Sequence, residues 1–269
     1  NQGGDQGPMR RLACRGLLRG ASASWPERAA SRFSAAAAAP SRVLADRTLI
    51  HVHGDEARKF LQGLITNDVE GLARGSGMYC HLLNAKGRTM FEAFVAAPRV
   101  GAAGVTADAP ESGEGGDASS FLLDCHVDVA KRLTRHLKMH KLRAKVKVES
   151  LAATHEVRWR ADGSSTSDAA SGAASGAAGE TVCEFADPRA PLTLGHRFYV
   201  KKTTASDGAS SNASSVAVDP TYEGLRRMHG ILEGTEVDGL IPLETNLDWL
   251  NGVVFDKGCY LGQELTART

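Results

Sequence analysis

The chemistry that this sequence could perform is concentrated in one segment near its end, Lys257–Glu264, with the sequence KGCYLGQE. The glycines on either side of Cys259 suit a bend, or a close approach of the backbone to another group, and predict that the cysteine lies on a tight loop. We expect a helix to begin near Gln263, so that its free N–H groups and the Lys257 ammonium would both favour a thiolate. A thiolate can act as a nucleophile or as a metal ligand. The alternative is a small buried residue, because free cysteines are commonly buried.

The same segment resembles the signature of the YgfZ/GcvT-like family, K-G-C-Y-x-G-Q-E, which follows the patterns P-L-E-x-N-L and L-N-G-V. The resemblance extends to F-L-Q-G-L-I-T-N-D at 60–68 and to L-N-A-K-G-R at 83–88, and it spans 43–269 apart from low-complexity inserts. It is strongest to the mitochondrial branch of the family, whose function is the maturation of 4Fe-4S proteins. The signature positions taken over from it are Lys257, Gly258, Cys259, Tyr260, Gly262, Gln263, Glu264 and Arg268.

The resemblance implies an α+β fold of the GcvT-like, folate-binding kind, in which two interlocked ferredoxin-like halves surround a central pocket. Members of the family normally continue into a C-terminal β-barrel after the T-A-R-T that ends this sequence. Because loss of the barrel would uncover apolar surface, we expect the sequence to be a fragment.

Two functions are open within the resemblance. The first is a mitochondrial assembly factor that supports maturation of 4Fe-4S proteins together with an A-type iron-sulfur carrier. Because a cluster usually has four protein ligands, mostly thiolates, Cys259 could ligate a 2Fe-2S or 4Fe-4S cluster only by sharing it with that partner. The alternative is a folate-dependent one-carbon (aminomethyl-type) transferase that uses tetrahydrofolate. Its pocket would lie at Asn67, Asp68, Glu92, Glu244 and Asn246.

Two positions argue against aminomethyl transfer. Where the T-protein of the glycine cleavage system has two adjacent acids, this sequence reads Phe91-Glu92. The glutamate that holds the pterin in that protein corresponds to Met228, which cannot accept N–H donors as a carboxylate does. A third alternative outside the family is a cysteine-nucleophile enzyme that pairs Cys259 with a histidine such as His229, although nothing in the sequence places these two together.

The N-terminal segment differs in composition from the rest of the chain. Residues 9–42 contain seven arginines against the single acid Glu27 and are rich in alanine and serine, which is typical of an organellar transit peptide. We therefore interpret residues 1–42 as a disordered leader that directs import into the mitochondrial matrix, with the chloroplast stroma as the alternative. The slightly acidic remainder argues against general nucleic-acid binding, and no apolar run is long enough to span a bilayer.

The five cysteines are far apart and form no C-x-x-C pair. They are Cys14, Cys80, Cys125, Cys183 and Cys259. Their spacing predicts no self-contained zinc or cluster site and fits a compartment where thiols stay reduced. We expect Cys259 to be indispensable for function, whereas packing in strands explains Cys80, Cys125 and Cys183.

Hydrophobic periodicity predicts an α+β domain at 43–269. The predicted helices are 54–64, 127–139 and 220–231, and the predicted strands are 48–52, 78–83, 89–97, 121–125, 142–149, 154–159, 181–185 and 195–201. The strands at 78–83 and 89–97 are separated by turn residues and predict a hairpin. Low-complexity inserts at 101–120, 161–179 and 203–215 lack the apolar residues needed for a core. His51 and His81 lie on predicted strands, and we interpret both as partly buried polar residues.

Overall fold

The computed structural model describes residues 41–99, 120–161, 180–190, 194–202 and 220–268. Nearly all of the predicted leader and of the three predicted inserts lies outside these residues. Within the described part, no helix combines the length and the apolar character needed to cross a membrane.

Along the described chain, helices separate runs of two to four strands, and the paired strands are antiparallel, which confirms the predicted α+β class. The strands are β1 (Arg42–Val43), β2 (Arg47–His53), β3 (Gly77–Leu83), β4 (Thr89–Ala96), β5 (Ser120–His126), β6 (Lys147–Ser150), β7 (His155–Arg160), β8 (Thr181–Ala186) and β9 (His196–Lys201). The α-helices are α1 (Ala57–Gln62), α2 (Val127–His140), α3 (Pro220–Met228) and α4 (Gln263–Arg268), and 3-10 helices span Gly234–Val237 and Pro242–Thr245. The strands form a five-stranded sheet with the order β3-β4-β5-β2-β6 and a four-stranded sheet with the order β1-β7-β9-β8.

The five-stranded sheet separates two hydrophobic cores, because alternate residues of a strand face opposite sides of the sheet. On β4, Phe91 and Ala93 pack into one core with Leu133 of α2. Phe94, also on β4, faces the other core together with Tyr199 of the four-stranded sheet. The five-stranded sheet thus lies between a helical layer and the second sheet.

The hairpin predicted at 78–97 is confirmed. Strands β3 and β4 pair antiparallel from Gly77 opposite Ala96 to Leu83 opposite Thr89. In the turn, Gly87 has a φ of 78°, which residues with a Cβ rarely adopt. This turn lies beside the signature segment, as described below.

A fully buried set of charged side chains lies between the two sheets, and we call it the ion-pair network. Its members are Arg47, Glu92, Asp124, Asp187, Arg189, Arg197, Glu233 and the Tyr222 hydroxyl. Asp124 joins the sheets, because its Oδ1 accepts from Arg47 Nε at 2.7 Å and its Oδ2 accepts from Arg197 Nη1 at 2.7 Å. Arg197 also donates to Asp187 at 3.1 Å. Because an unpaired buried charge is very costly, this pairing is what allows the charges to remain inside.

Two predicted elements differ from the structure. The strand predicted at 142–149 begins only at Lys147. Leu142 has a positive φ of 43° and is 84% exposed, so the chain turns here after α2 and cannot continue as a strand, which needs negative φ. The helix predicted over 220–231 ends at Met228, whose side chain is 79% exposed.

Candidate functional site

The signature segment lies on a loop that is fixed by the α1–β3 connection. The amide of Val254 donates to the Thr66 carbonyl at 3.1 Å, and the amide of Leu261 donates to the Gly63 carbonyl at 3.0 Å. Two stretches that are nearly two hundred residues apart in sequence, 60–68 and 252–264, are therefore held together by backbone hydrogen bonds. The loop prediction for Cys259 and the helix start at Gln263 are confirmed.

Lys257 supports this loop from inside the protein. Its ammonium donates to the carbonyls of Gln62, Ile65 and Asn67 at 2.9, 2.7 and 2.7 Å. Burial lowers the pKa of Lys257 to about 8, although the nearby Cys80 and Asp68 oppose this shift. A lysine has three N–H donors, and all three are used here. The Lys257 ammonium is thus used to hold the loop carbonyls, and its effect on the Cys259 thiol stays a prediction.

The two glycines that flank Cys259 have different structural functions. Gly262 has a φ of 80°, and a Cβ there would lie 2.8 Å from the Cβ of Leu83, 3.2 Å from the Cα of Gly87 and inside the contact radius of the Asn84 carbonyl oxygen. The signature segment thus packs closely against the β3–β4 turn. Gly258 lies outside the positive-φ region, and a Cβ there would meet nothing within 4 Å. The prediction of backbone constraint is confirmed for Gly262 and is wrong for Gly258.

Cys259 is exposed and lines a shallow groove of about 530 Å³. The groove is lined by Gly63, Leu64, Ala85, His140, Cys259, Tyr260, Leu261, Gly262, Gln263 and Glu264. His140, at the end of α2, was not predicted, because its position in the groove depends on how α2 packs. His229, the histidine considered from the sequence, is not among these lining residues.

The remaining signature side chains support the loop or extend into solvent. Gln263 Oε1 accepts from the amide of Tyr260 at 3.2 Å, and the Tyr260 ring is buried with the Lys257 ammonium 4.9 Å from its centroid. Glu264 and Arg268 form an exposed pair on α4 at 3.9 Å, and such pairs contribute little to stability.

The other described cysteines are inaccessible. Cys80, Cys125 and Cys183 are all completely buried on strands. Burial raises the pKa of Cys80 and Cys125 well above the usual range and that of Cys183 to about 12. Within the described residues, Cys259 is thus the one thiol that a partner or a metal could reach.

The predicted folate-pocket residues already have partners within the protein. Glu92 is completely buried and accepts from Arg47 Nη1 at 2.6 Å and from the Gly234 amide at 3.1 Å. Asn67 donates to the Tyr79 and Asn251 carbonyls, both at 2.8 Å.

The other three residues of the predicted pocket also form hydrogen bonds within the protein. Asp68 accepts from Gln62 and from the Glu70 amide, Glu244 accepts from the Ile241 amide, and Asn246 donates to the Gly230 carbonyl. All five side chains thus take part in hydrogen bonds within the protein, and the folate pocket stays a prediction. Phe91 and Met228, which stand where the T-protein has acidic groups, do not face a common pocket. Phe91 is in the core, and Met228 is on the surface.

Proteins of known name are similar to this chain over most of its length. It is 35% identical over 233 residues to the "Iron-sulfur cluster assembly factor IBA57 homolog, mitochondrial" of Pyricularia oryzae, which covers 84% of this chain and 52% of that protein. It is 36% identical over 235 residues to the mitochondrial iron-sulfur cluster assembly factor IBA57 of Mus musculus and 33% identical over 236 residues to that of Homo sapiens, with 83% of this chain and 60% of each relative covered. The chain thus spans little more than half the length of these relatives.

No family model matches the chain. Among solved structures, aminomethyltransferase T of the glycine cleavage system from Bartonella henselae aligns at 18% sequence identity with a TM-score of 0.34, and covers 43% of this chain and 27% of that one. This likeness is too slight to support an argument, so the α+β class rests on the observed elements and the more specific GcvT-like architecture stays a prediction. The names of the relatives agree with the predicted mitochondrial localisation. The resemblance predicted from the signature segment is confirmed, and the chain is a relative of the mitochondrial IBA57 iron-sulfur cluster assembly factors.

Proposed function

We propose that this chain is part of a mitochondrial iron-sulfur cluster assembly factor that uses Cys259 to share a cluster with a carrier protein. The relatives are named as assembly factors of this kind. The observation that carries the proposal is the contrast in access between the exposed thiol of Cys259 and the buried thiols of Cys80, Cys125 and Cys183.

The ligand count requires a partner. A 2Fe-2S or 4Fe-4S cluster usually needs four protein ligands, mostly thiolates, and the described residues provide one accessible thiol. In the proposed step, the Cys259 thiol releases its proton to solvent, and one Fe–S bond forms as another ligand leaves that iron. The partner retains the other ligands, and no change of oxidation state is required. An A-type iron-sulfur carrier is the partner that we propose.

The loop geometry supports an exchange of this kind. Lys257 and Gly262 fix the two sides of the loop from within the protein, whereas the space beside Gly258 is open. The thiol is thus held in a defined place that another protein can approach. A ligand held rigidly loses less conformational entropy when a cluster binds.

We do not extend the proposal to tetrahydrofolate or to one-carbon transfer. The five candidate pocket residues form hydrogen bonds within the protein, and Glu92 belongs to the ion-pair network. A pterin would have to displace Arg47 from Glu92 and leave a buried guanidinium with fewer partners, which is costly.

The proposal is tested by anaerobic co-purification of the full chain with an A-type carrier, read by visible absorbance and iron content. We expect the wild-type pair to retain a cluster and the pair with Cys259→Ser to lose it. This substitution is nearly isosteric and should change the free energy of unfolding by less than about 1 kcal/mol. Cys183→Ala is the matched control, because it removes a buried thiol and should leave the cluster in place.

Complementation in cells tests the same proposal at the level of function. In a strain without its own mitochondrial homologue, aconitase activity is measured at equal abundance of wild type and Cys259→Ser, each built into a full-length protein. Aconitase restored equally by both variants would show that the thiol is not needed, and the shared-cluster mechanism would be abandoned. Failure of the wild type itself to restore aconitase would count against the assembly function.

A further inference from the structure

A second cluster of possible metal ligands lies at the opposite edge of the fold's central sheet from the β3–β4 turn. His51 and His53 on β2 and Glu149 on β6 each offer one ligand atom, and these atoms lie within 4.8 Å of one another. We infer that His51, His53 and Glu149 form a site for a divalent transition-metal ion of the zinc type. The site contains no cysteine and does not depend on the proposed function of Cys259.

The backbone places all three side chains on the same face of the sheet. His51 and His53 are two residues apart on one strand and therefore face the same side. Glu149 is directly opposite His51 in the antiparallel pairing of β2 with β6, where side chains of paired residues are neighbours. The two imidazole rings are stacked, with centroids 4.2 Å apart and planes inclined by 14°.

The two histidine side chains are largely withdrawn from solvent. His51 is buried, and the His53 side chain is 15% exposed. His53 Nε2 is buried and has no hydrogen-bond partner among the described residues, which is uncommon for a buried polar atom. Glu149 Oε2 is 3.7 Å from His53 Nε2.

Two neighbouring side chains, Ser120 and Lys147, affect the environment of the proposed metal site. Ser120 Oγ lies 2.8 Å from His51 Nε2 and can fix the orientation of the ring, as hydrogen-bond partners of metal-binding histidines commonly do. Lys147 is opposite His53 in the β2–β6 pairing, but its side chain is exposed. The buried side of the site therefore consists of imidazole and hydroxyl groups.

The ligand types favour zinc among the common divalent ions. Two imidazoles and one carboxylate suit Zn²⁺, with bonds of about 2.0–2.2 Å and water at the remaining position. Two such ligands on a tetrahedral ion are about 3.4 Å apart, so side-chain rotations that bring the ligand atoms closer by an ångström or so would complete the site. Glu149 is mostly exposed and long enough to provide much of this movement.

The inference has a structural consequence. Strand β6 is a four-residue edge strand that pairs with β2. A metal bound by both strands would add a side-chain link to the backbone hydrogen bonds that hold this edge strand. A ligand that binds only the folded state stabilises it. Zn²⁺ should therefore raise the melting temperature.

Calorimetric titration of the full chain with Zn²⁺ tests the inference. The titrations use the Cys259→Ser background, so that the exposed thiol does not contribute. We expect one ion per chain, with affinity weakened at least about tenfold by His53→Gln and by Glu149→Gln. Glu184→Gln is the matched control and should leave the affinity unchanged. Glu184 is 3.9 Å from His196, but within the described part of the chain this pair belongs to no group of three possible ligands.

A spectroscopic readout identifies the ligands independently of affinity. The same protein loaded with Co²⁺ should show visible d–d bands without thiolate-to-metal charge transfer. The inference is overturned if Zn²⁺ does not bind in a 1:1 ratio, if His53→Gln and Glu149→Gln bind it as tightly as the parent protein, or if Co²⁺ shows thiolate ligation. Circular dichroism confirms that each variant is folded before it is titrated.

Discussion

The ion-pair network and the Cys259 loop use polar side chains in opposite ways. In the network, Arg47, Asp124 and Arg197 satisfy one another in a closed interior between the sheets. In the loop, Lys257 uses its ammonium to fix the backbone, and the thiol of Cys259 is left exposed. The comparison teaches that the buried charges stabilise the fold, whereas the group proposed for chemistry is an exposed thiol on a loop that is held from within.

Replacement of Arg197 should produce the largest loss of stability. Arg197→Met would leave Asp124 and Asp187 without a cation that each of them binds. It would also remove the guanidinium whose carbon is 3.8 Å from the centroid of the Phe94 ring. Because breaking a buried ion pair by removal of one partner costs about 3–5 kcal/mol, we expect a loss of that size in urea denaturation.

The matched control is Arg143→Met on the exposed turn after α2, where the free energy of unfolding should change by less than about 0.5 kcal/mol. Should Arg197→Met cost less than about 1 kcal/mol, the network would not be the element that joins the two sheets.

Acid should destabilise the network while it leaves the Cys259 loop little affected. Burial opposes ionisation of Glu233 and Asp187, but the adjacent arginines outweigh it and hold both pKa values below the usual 4.5 and 3.8. A carboxyl group with a lowered pKa stabilises the fold above its unfolded pKa, and this contribution is lost as the pH falls towards the folded value. Burial also lowers the pKa of His81 to about 3, so its contribution begins to fall near pH 6.5.

We therefore expect the free energy of unfolding to fall by at least about 2 kcal/mol between about pH 6 and about pH 3. Urea denaturation at a series of pH values measures the change. Glu264→Gln removes an exposed carboxylate of the loop helix and should leave the slope unaltered. A flat pH profile for the wild type would contradict the assigned pKa directions.

Local patterns predicted local structure well in this chain. The hairpin β3–β4 and the helix α2 were predicted because alternation and helical periodicity are visible in adjacent residues. The strand predicted at 142–149 was wrong because its alternation continues through Leu142, where the backbone turns with a φ of 43°. The alternation of apolar and polar side chains does not reveal that the backbone conformation changes at a single residue.

The candidate site was predicted in identity but not in environment. The motif identified Cys259, yet it could not show that Lys257 donates to carbonyls about 190 residues away or that His140 lines the groove. Both facts depend on tertiary packing. The spacing of His51 and His53 is visible in the sequence, but their proximity to Glu149 depends on the register between β2 and β6.

The smallest changes in stability should come from alanine substitutions of the two glycines that flank Cys259. These two substitutions distinguish the closely packed side of the loop, at Gly262, from its open side, at Gly258. Gly262→Ala forces a Cβ into a position with φ of 80° and into contact with Leu83 and the β3–β4 turn. It should lower the free energy of unfolding by more than about 1 kcal/mol. Gly258→Ala meets open space and should change it by less than about 0.5 kcal/mol.

Binding to the carrier protein should show the reverse order. Gly258 precedes Cys259 directly, and a methyl group there would enter open space. On the proposed function, a carrier that approaches Cys259 through this space would meet the methyl group, so Gly258→Ala should weaken co-purification of the carrier while the chain stays fully folded. Gly262→Ala should bind the carrier normally below its melting temperature, because its added methyl points away from the surface and towards Leu83. If Gly258→Ala instead lowers the melting temperature and leaves carrier binding intact, the open side of the loop serves structure, and the partner must approach Cys259 from another direction.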